Sequence, residues 1–177
     1  MLFAIVMIWT IGQRLIELMI AKRNEKWMKA QGAKEYGQDH YKWFIFLHAG
    51  FFLVLLAEVG LIRSGLPGWW WLPFMLFLTA QMGRMWVLVS LHRYWNTKII
   101  VLPGATPVTK GPYRFMKHPN YIIVSVEILA LPLMFGAYVT AVLFTVLNAM
   151  LILLIRIPAE EQAWRLYSSG LQERSSP

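Results

Sequence analysis

Runs of about 20 apolar residues, each closed by a polar, basic connection, recur along this chain and constrain its fold more than any single motif does. A helix needs about 20 such residues to cross the roughly 30 Å hydrocarbon of a bilayer, because it rises about 1.5 Å per residue. The chain has 177 residues, 58% of them hydrophobic, with nine Trp, and that apolar content exceeds what a soluble domain carries. The expectation is an all-α, polytopic integral membrane protein forming a single domain over residues 1–177. About five transmembrane helices are predicted, near 1–21, 43–62, 69–91, 121–135 and 137–157, the last two forming a C-terminal hairpin turned at Gly136.

The net charge of +8 sits in particular connections rather than along one soluble face, which argues against nucleic acid as a partner. Lys22, Arg23, Lys26, Lys29, Lys34 and Lys42 occupy one long connection, and Arg93, Lys98, Lys110, Arg114 and Lys117 the other. Basic loops stay in the cytoplasm. The predicted topology therefore has the N-terminus outside and the C-terminus inside a multi-pass cell-membrane protein, with the turn at Arg63-Ser64-Gly65 outside. The apolar N-terminus has no basic region before it and reads as a retained helix. There is no Cys, so disulfides, thiolate metal sites and a Cys nucleophile are excluded. His40 has no second His or carboxylate at metal-binding spacing and reads as a solvated loop residue, so no metal is expected.

Several ionisable residues fall inside or at the ends of the apolar runs: Arg14 and Glu17, Glu58, Arg84, Glu127 and Arg156. Charges at that depth are costly unless paired or facing a polar cavity. Arg14 and Glu17, three apart, share a helix face. Except for Glu58, all lie toward the predicted inner leaflet, so a polar pocket opening to the cytoplasm is the default site.

The segment Gly111-Pro112-Tyr113-Arg114-Phe115-Met116-Lys117-His118-Pro119-Asn120-Tyr121 is the polar element nearest those charges. Pro112 and Pro119 each remove a backbone donor and bias the preceding residue away from helix, which predicts an ordered loop. Its aromatic and basic residues can stack on a ring and grip an anion; they are also the types that anchor helices at a lipid interface. Farther on, Pro158 is expected to end the last span, with a short amphipathic helix at 159–167 and a mobile polar tail from Ser168. Glu160 and Glu161 suit the first turn of that helix by its dipole alone. No dinucleotide fingerprint, phosphate loop, HExxH or GxSxG occurs, so common cofactor folds and hydrolase elbows are unsupported.

Taken together, Val108-Thr109-Lys110-Gly111-Pro112-Tyr113-Arg114, then His118-Pro119-Asn120-Tyr121, then Arg156 followed by Glu160 and Glu161 resemble the signature of the isoprenylcysteine carboxyl methyltransferase family. The resemblance runs from about Lys98 to Glu161 and implies an integral membrane enzyme that uses S-adenosyl-L-methionine. It implies that Ala105, Thr106, Pro107, Val108, Tyr113, His118, Pro119, Asn120, Tyr121 and Glu160 line the cofactor site, within 98–121 and 156–167, and that Arg156 is the catalytic residue facing the acceptor. The donor's sulfonium favours aromatic faces and a carboxylate as neighbours.

The chain departs from the family pattern at Lys117, Ile123 and Ala105, and it lacks the long aromatic tail typical after the Glu-Glu pair. With Glu25-Lys26-Trp27 and Trp95-Asn96-Thr97-Lys98 it looks closest to short bacterial members. For such members the resemblance implies a lipophilic acceptor entering from the bilayer, with an acidic hydroxyl or carboxyl, for example a long-chain alkylpyrone, and not a prenylated protein. Three other readings compete, the first an isoprenylcysteine-type carboxyl methyltransferase. An NADPH-dependent membrane reductase shares the ending Lys117 to Tyr121, but usually follows it with an acidic residue where this chain has Ile122, Ile123 and Val124. A non-catalytic membrane interaction protein would be favoured if Gln81, Arg84 and Glu127 were paired only with one another and had no cavity beside them.

Overall fold

A computed structural model describes residues 1–62 and 66–175, with side-chain surroundings for 1–61 and 66–166. The turn residues Arg63, Ser64 and Gly65 therefore lie outside the described residues. The helices are α1 (Leu2–Ala30), α2 (Gln38–Ile62), α3 (Trp71–Leu91), α4 (Pro119–Met134), α5 (Tyr138–Leu151) and α6 (Ile157–Ser175), and two short strands are β1 (Lys34–Tyr36) and β2 (Ile99–Val101). Four helical stretches, Leu2–Ala30, Gln38–Leu61, Trp71–Tyr94 and Tyr138–Leu166, are long and apolar enough to cross a membrane. The protein is thus an all-α polytopic membrane protein. The fourth of the five predicted spans falls on α4, a 16-residue apolar helix of about 24 Å, short of the hydrocarbon thickness.

The chain divides into two compact units. The first comprises Met1–Gln38, Leu91–Pro107 and the chain from Pro158 onward. Here α1 runs well past residue 21 where the apolar run ends, because Lys22 to Ala30 are mostly strong helix formers and the first breaker is Gly32, at φ +86°. Arg14 and Glu17 form the expected pair at 3.1 Å, and Gln13 donates to the same carboxylate at 3.2 Å. Asn24 is buried and donates to the carbonyls of His92 at 3.1 Å and Trp95 at 2.8 Å, fastening the stretch before β2 to α1.

β1 pairs antiparallel with β2 in the register Lys34↔Val101, Glu35↔Ile100, Tyr36↔Ile99. Both strands lie in connections that the sequence presents only as polar loops; three-residue strands carry no legible periodicity. Ile99 and Val101 pack with Ala163 of α6, flanked by Tyr36, Ala159 and Trp164. Above that core, Lys98 Nζ meets Glu25 at 2.9 Å and Glu35 at 3.1 Å, and Lys29 meets the same two carboxylates at 2.6 and 2.5 Å. Lys98 is held above its ordinary value near 10.5, first by its hydrogen bond to Glu25 and then by that to Glu35.

The second unit comprises Asp39–Ser90 and Val108–Ile157. Its core is built from side chains such as Val87, Leu55, Leu131 and Met134, all fully buried. Gly136, at φ +72°, turns the α4–α5 hairpin as expected. Glu58 of α2 accepts the backbone N–H groups of Val139 at 3.0 Å and Thr140 at 2.7 Å and the Thr140 hydroxyl at 2.5 Å, satisfying orphan donors at the start of α5. His40, expected on a solvated loop, instead sits half-buried in the first turn of α2.

Pro158 does not end the last span. A π-helical turn, Ile152–Arg156, follows α5, and α6 begins at Ile157 with Pro158 as its second residue. A proline in a helix loses one hydrogen bond and crowds the carbonyl four residues earlier; widening the preceding turn to π geometry relieves that crowding. The polar tail predicted from Ser168 is likewise helical to Ser175, and the last two residues lie outside the described residues.

Candidate functional site

α4 opens at Pro119, whose fixed φ suits the first helical position and whose missing N–H would have had no intrahelical partner there. His118 precedes it as the N-cap, at φ −128° and ψ 58°, and its side chain makes no capping bond. The imidazole instead stacks on Tyr121, with ring centroids 5.2 Å apart and planes inclined by 17°. The Tyr121 hydroxyl accepts the Nε–H of Arg156 at 3.1 Å. Arg156 closes the π turn, is only 7% exposed, and holds its guanidinium 5.7 Å from the centroid of the Phe44 ring on α2. π turns inside helices recur at functional positions because they redirect one side chain without ending the helix.

The loop before α4 is anchored by a close approach. Gly111, at φ +59°, opens a 3-10 turn, Gly111–Arg114, and a Cβ at this position would stand 2.0 Å from Ser90 Oγ and 3.0 Å from Trp86 Nε1. Pro112 is buried, Tyr113 is half-buried with its N–H on the Lys110 carbonyl at 3.3 Å, and Phe115 tilts against Trp86 at 6.5 Å. Asn120, in the first turn of α4, carries a buried side-chain oxygen, Oδ1, with no hydrogen-bond partner.

Of the predicted site residues, the second unit thus gathers His118, Pro119, Asn120, Tyr121 and Arg156 around the start of α4, and it also holds Val108 and Tyr113. The first unit holds Ala105, Thr106 and Pro107, just after β2, where the Ala105 N–H closes a turn on the Leu102 carbonyl at 3.2 Å. Glu160 also belongs to the first unit, half-buried in the first turn of α6.

Two further buried charges meet each other. Arg84 of α3 grips Glu127 of α4 through Nε at 2.7 Å and through Nη2, and Gln81 adds its amide to the same carboxylate at 3.1 Å. With both charged side chains almost wholly buried, this group ties α3 to α4. That pairing suits a structural role, and the functional reading is carried by Arg156, Tyr121 and His118. Sequence reasoning passed over Phe44 and Ser90, whose roles come from contacts with residues 112 and 21 positions away and leave no local signal.

Fold and cluster together define a helical membrane protein with an arginine, two stacked rings and an unpaired amide oxygen at one helix start. A family profile described as the isoprenylcysteine carboxyl methyltransferase (ICMT) family matches residues 71–165. The chain belongs to that family, which makes it a membrane methyltransferase of a class that uses S-adenosylmethionine. It is 50% identical over 159 residues to an uncharacterised protein, YpbQ, of Bacillus subtilis (strain 168), covering 89% of this chain and 94% of the Bacillus one. An uncharacterised protein of Haemophilus influenzae is 27% identical over 151 residues, covering 85% of this chain and 87% of that one. No solved structure matches.

Proposed function

We propose that this protein is an S-adenosylmethionine-dependent O-methyltransferase that takes a lipophilic acceptor, bearing an acidic hydroxyl or carboxyl group, from the bilayer. The observation that carries this reading is the buried Arg156 guanidinium, fixed on the Tyr121 hydroxyl beside the His118 ring. A buried guanidinium presents several N–H donors in a planar fork suited to an anionic oxygen. The cofactor fits the residues around it. The unpaired Asn120 Oδ1 can accept an N–H or O–H such as adenine and ribose present, and the His118–Tyr121 pair offers aromatic faces to a sulfonium or a heterocycle.

S-adenosylmethionine supplies an electrophilic methyl group on its sulfonium. Arg156 holds the acceptor's ionised oxygen, and because that oxygen is already a nucleophile no strong base is required. Rate enhancement comes from alignment and from exclusion of water in the apolar surroundings. Glu160, the carboxylate that the family resemblance gives to the donor, stands in the other unit, and its part is decided by substitution. The topology consistent with this reading keeps the two basic connections, and hence the cofactor residues, on the cytoplasmic side.

The test is calorimetric titration of detergent-purified protein with S-adenosylmethionine and with NADPH, alongside Glu160→Ala and Asn120→Ala variants. Methyl transfer from labelled donor to a farnesylated cysteine analogue and to a long-chain alkylpyrone is measured in parallel. Saturable S-adenosylmethionine binding that weakens in the variants is the expected result, and the acceptor that becomes labelled fixes the oxygen class. Binding of NADPH with no binding of S-adenosylmethionine would overturn the proposal.

A further inference from the structure

Asn148, in α5, is 1% exposed and only half satisfied. Its Nδ2 donates to Ser125 Oγ at 3.0 Å, and the Ser125 hydroxyl donates to the Tyr121 carbonyl at 2.9 Å. Asn148 Oδ1 is buried with no partner. Exchanging the amide oxygen and nitrogen does not repair this: Ser125 has one hydroxyl proton, so one end of the amide stays unpaired in either orientation. Three residues earlier, on the same face of α5, the Thr145 hydroxyl is also buried without a partner. A helical threonine ordinarily gives its proton to the carbonyl four residues back, as Thr10 and Thr79 do here at 2.8 and 2.9 Å. Inside a span no bulk water is present to satisfy either group.

These groups are linked to the candidate site through one residue. Tyr121 uses its hydroxyl to hold Arg156 and its carbonyl to hold Ser125, on which Asn148 rests. Asn148 precedes Arg156 by eight positions, roughly two helical turns nearer the hairpin turn. We propose that Asn148 and Thr145 form a polar subsite for the acceptor's hydrocarbon chain. The ligand it fits is a lipophilic anion carrying a hydroxyl or amide N–H partway along the chain that leads away from the oxygen held at Arg156. A plain hydrocarbon chain leaves the buried amide unpaired, the kind of mismatch by which polar pockets discriminate strongly. This inference rests on the role given above to Arg156.

The experiment uses two probes, stearate and a mid-chain hydroxystearate, titrated by calorimetry into the full-length protein in detergent. Wild type is expected to bind the hydroxylated probe about tenfold more tightly or better. Asn148→Leu, which puts hydrocarbon into an apolar helix pair, is expected to equalise the two by weakening hydroxystearate alone, and Thr145→Val to narrow the gap. Equal affinities in wild type, binding of neither probe, or a preference that survives both substitutions would overturn the subsite. Arg156→Gln separates the two claims: stearate affinity unchanged in that variant counts against Arg156 as the anion anchor, whereas the hydroxyl preference judges Asn148 and Thr145.

Discussion

Arg156 and Tyr121, 35 positions apart, are joined by a hydrogen bond of 3.1 Å from the guanidinium Nε to the phenol oxygen. The bond sets the guanidinium beside the ring that His118 covers. Tyr121→Phe keeps the stack and removes the acceptor, so kcat/KM for methyl transfer should fall about tenfold or more, with little change in melting temperature. Arg156→Lys keeps the charge but loses the planar fork and should cost on the order of a hundredfold, as loss of a charge-stabilising donor does. Steady-state kinetics on both variants check this, and a Tyr121→Phe enzyme of wild-type rate would refute it.

Gly111→Ala should impair the loop before α4 for two reasons that can be separated. The new Cβ would meet Ser90 Oγ at 2.0 Å, and the residue would remain at φ +59°. A Ser90→Ala substitution removes the Oγ but leaves the Cβ of residue 90 and Trp86 Nε1 at 3.0 Å as well as the backbone strain, so the double variant should recover part of the lost stability. Thermal unfolding of the two single variants and the double variant measures that share.

The Arg84–Glu127 pair is buried on both sides. Arg84→Met should destabilise the protein by roughly 3–5 kcal/mol, because it strands a buried carboxylate, while Arg84→Met combined with Glu127→Leu should regain most of that. Denaturant titration in mixed micelles reads the difference; equal losses in the single and double variants would contradict a pairwise tie.

Glu58 receives the first donors of α5. Glu58→Ala should cost about 1–2 kcal/mol, the scale of a lost helix cap, and Glu58→Gln less, since one amide oxygen still accepts. Hydrogen exchange at the Val139 and Thr140 amides should quicken in the Ala variant before exchange rises elsewhere.

Lys98 contributes to the alkaline pH dependence of the first unit, as Lys29 does through the same two carboxylates. Its folded-state value lies above the ordinary 10.5, chiefly through Glu25. Its contribution to stability is therefore complete below about 10.5 and is lost as the pH rises through the raised value. Wild type should lose more stability than Lys98→Met across that alkaline interval, as followed by tryptophan fluorescence.

Much of this was legible in the residues alone. Apolar run length announced helices that cross a membrane, and Gly136 marked a turn that the backbone takes at positive φ. The spacing of Arg14 and Glu17 foretold their pairing, because a helix face is a local property. The His118-Pro119-Asn120-Tyr121 run was expected within a loop reaching Tyr121, whereas Pro119 opens α4, because its fixed φ suits the first helical position. Tertiary structure alone decided the rest. The β1–β2 pairing, the Arg84–Glu127 tie, the Phe44 ring under Arg156 and the Ser125–Asn148 bond each join residues far apart in sequence. No periodicity encodes which partner such a group meets. The passage of the last helix through Pro158 was hidden for a related reason. Proline's local chemistry argues for a break, and whether a π turn absorbs it depends on how the surrounding helices hold the chain.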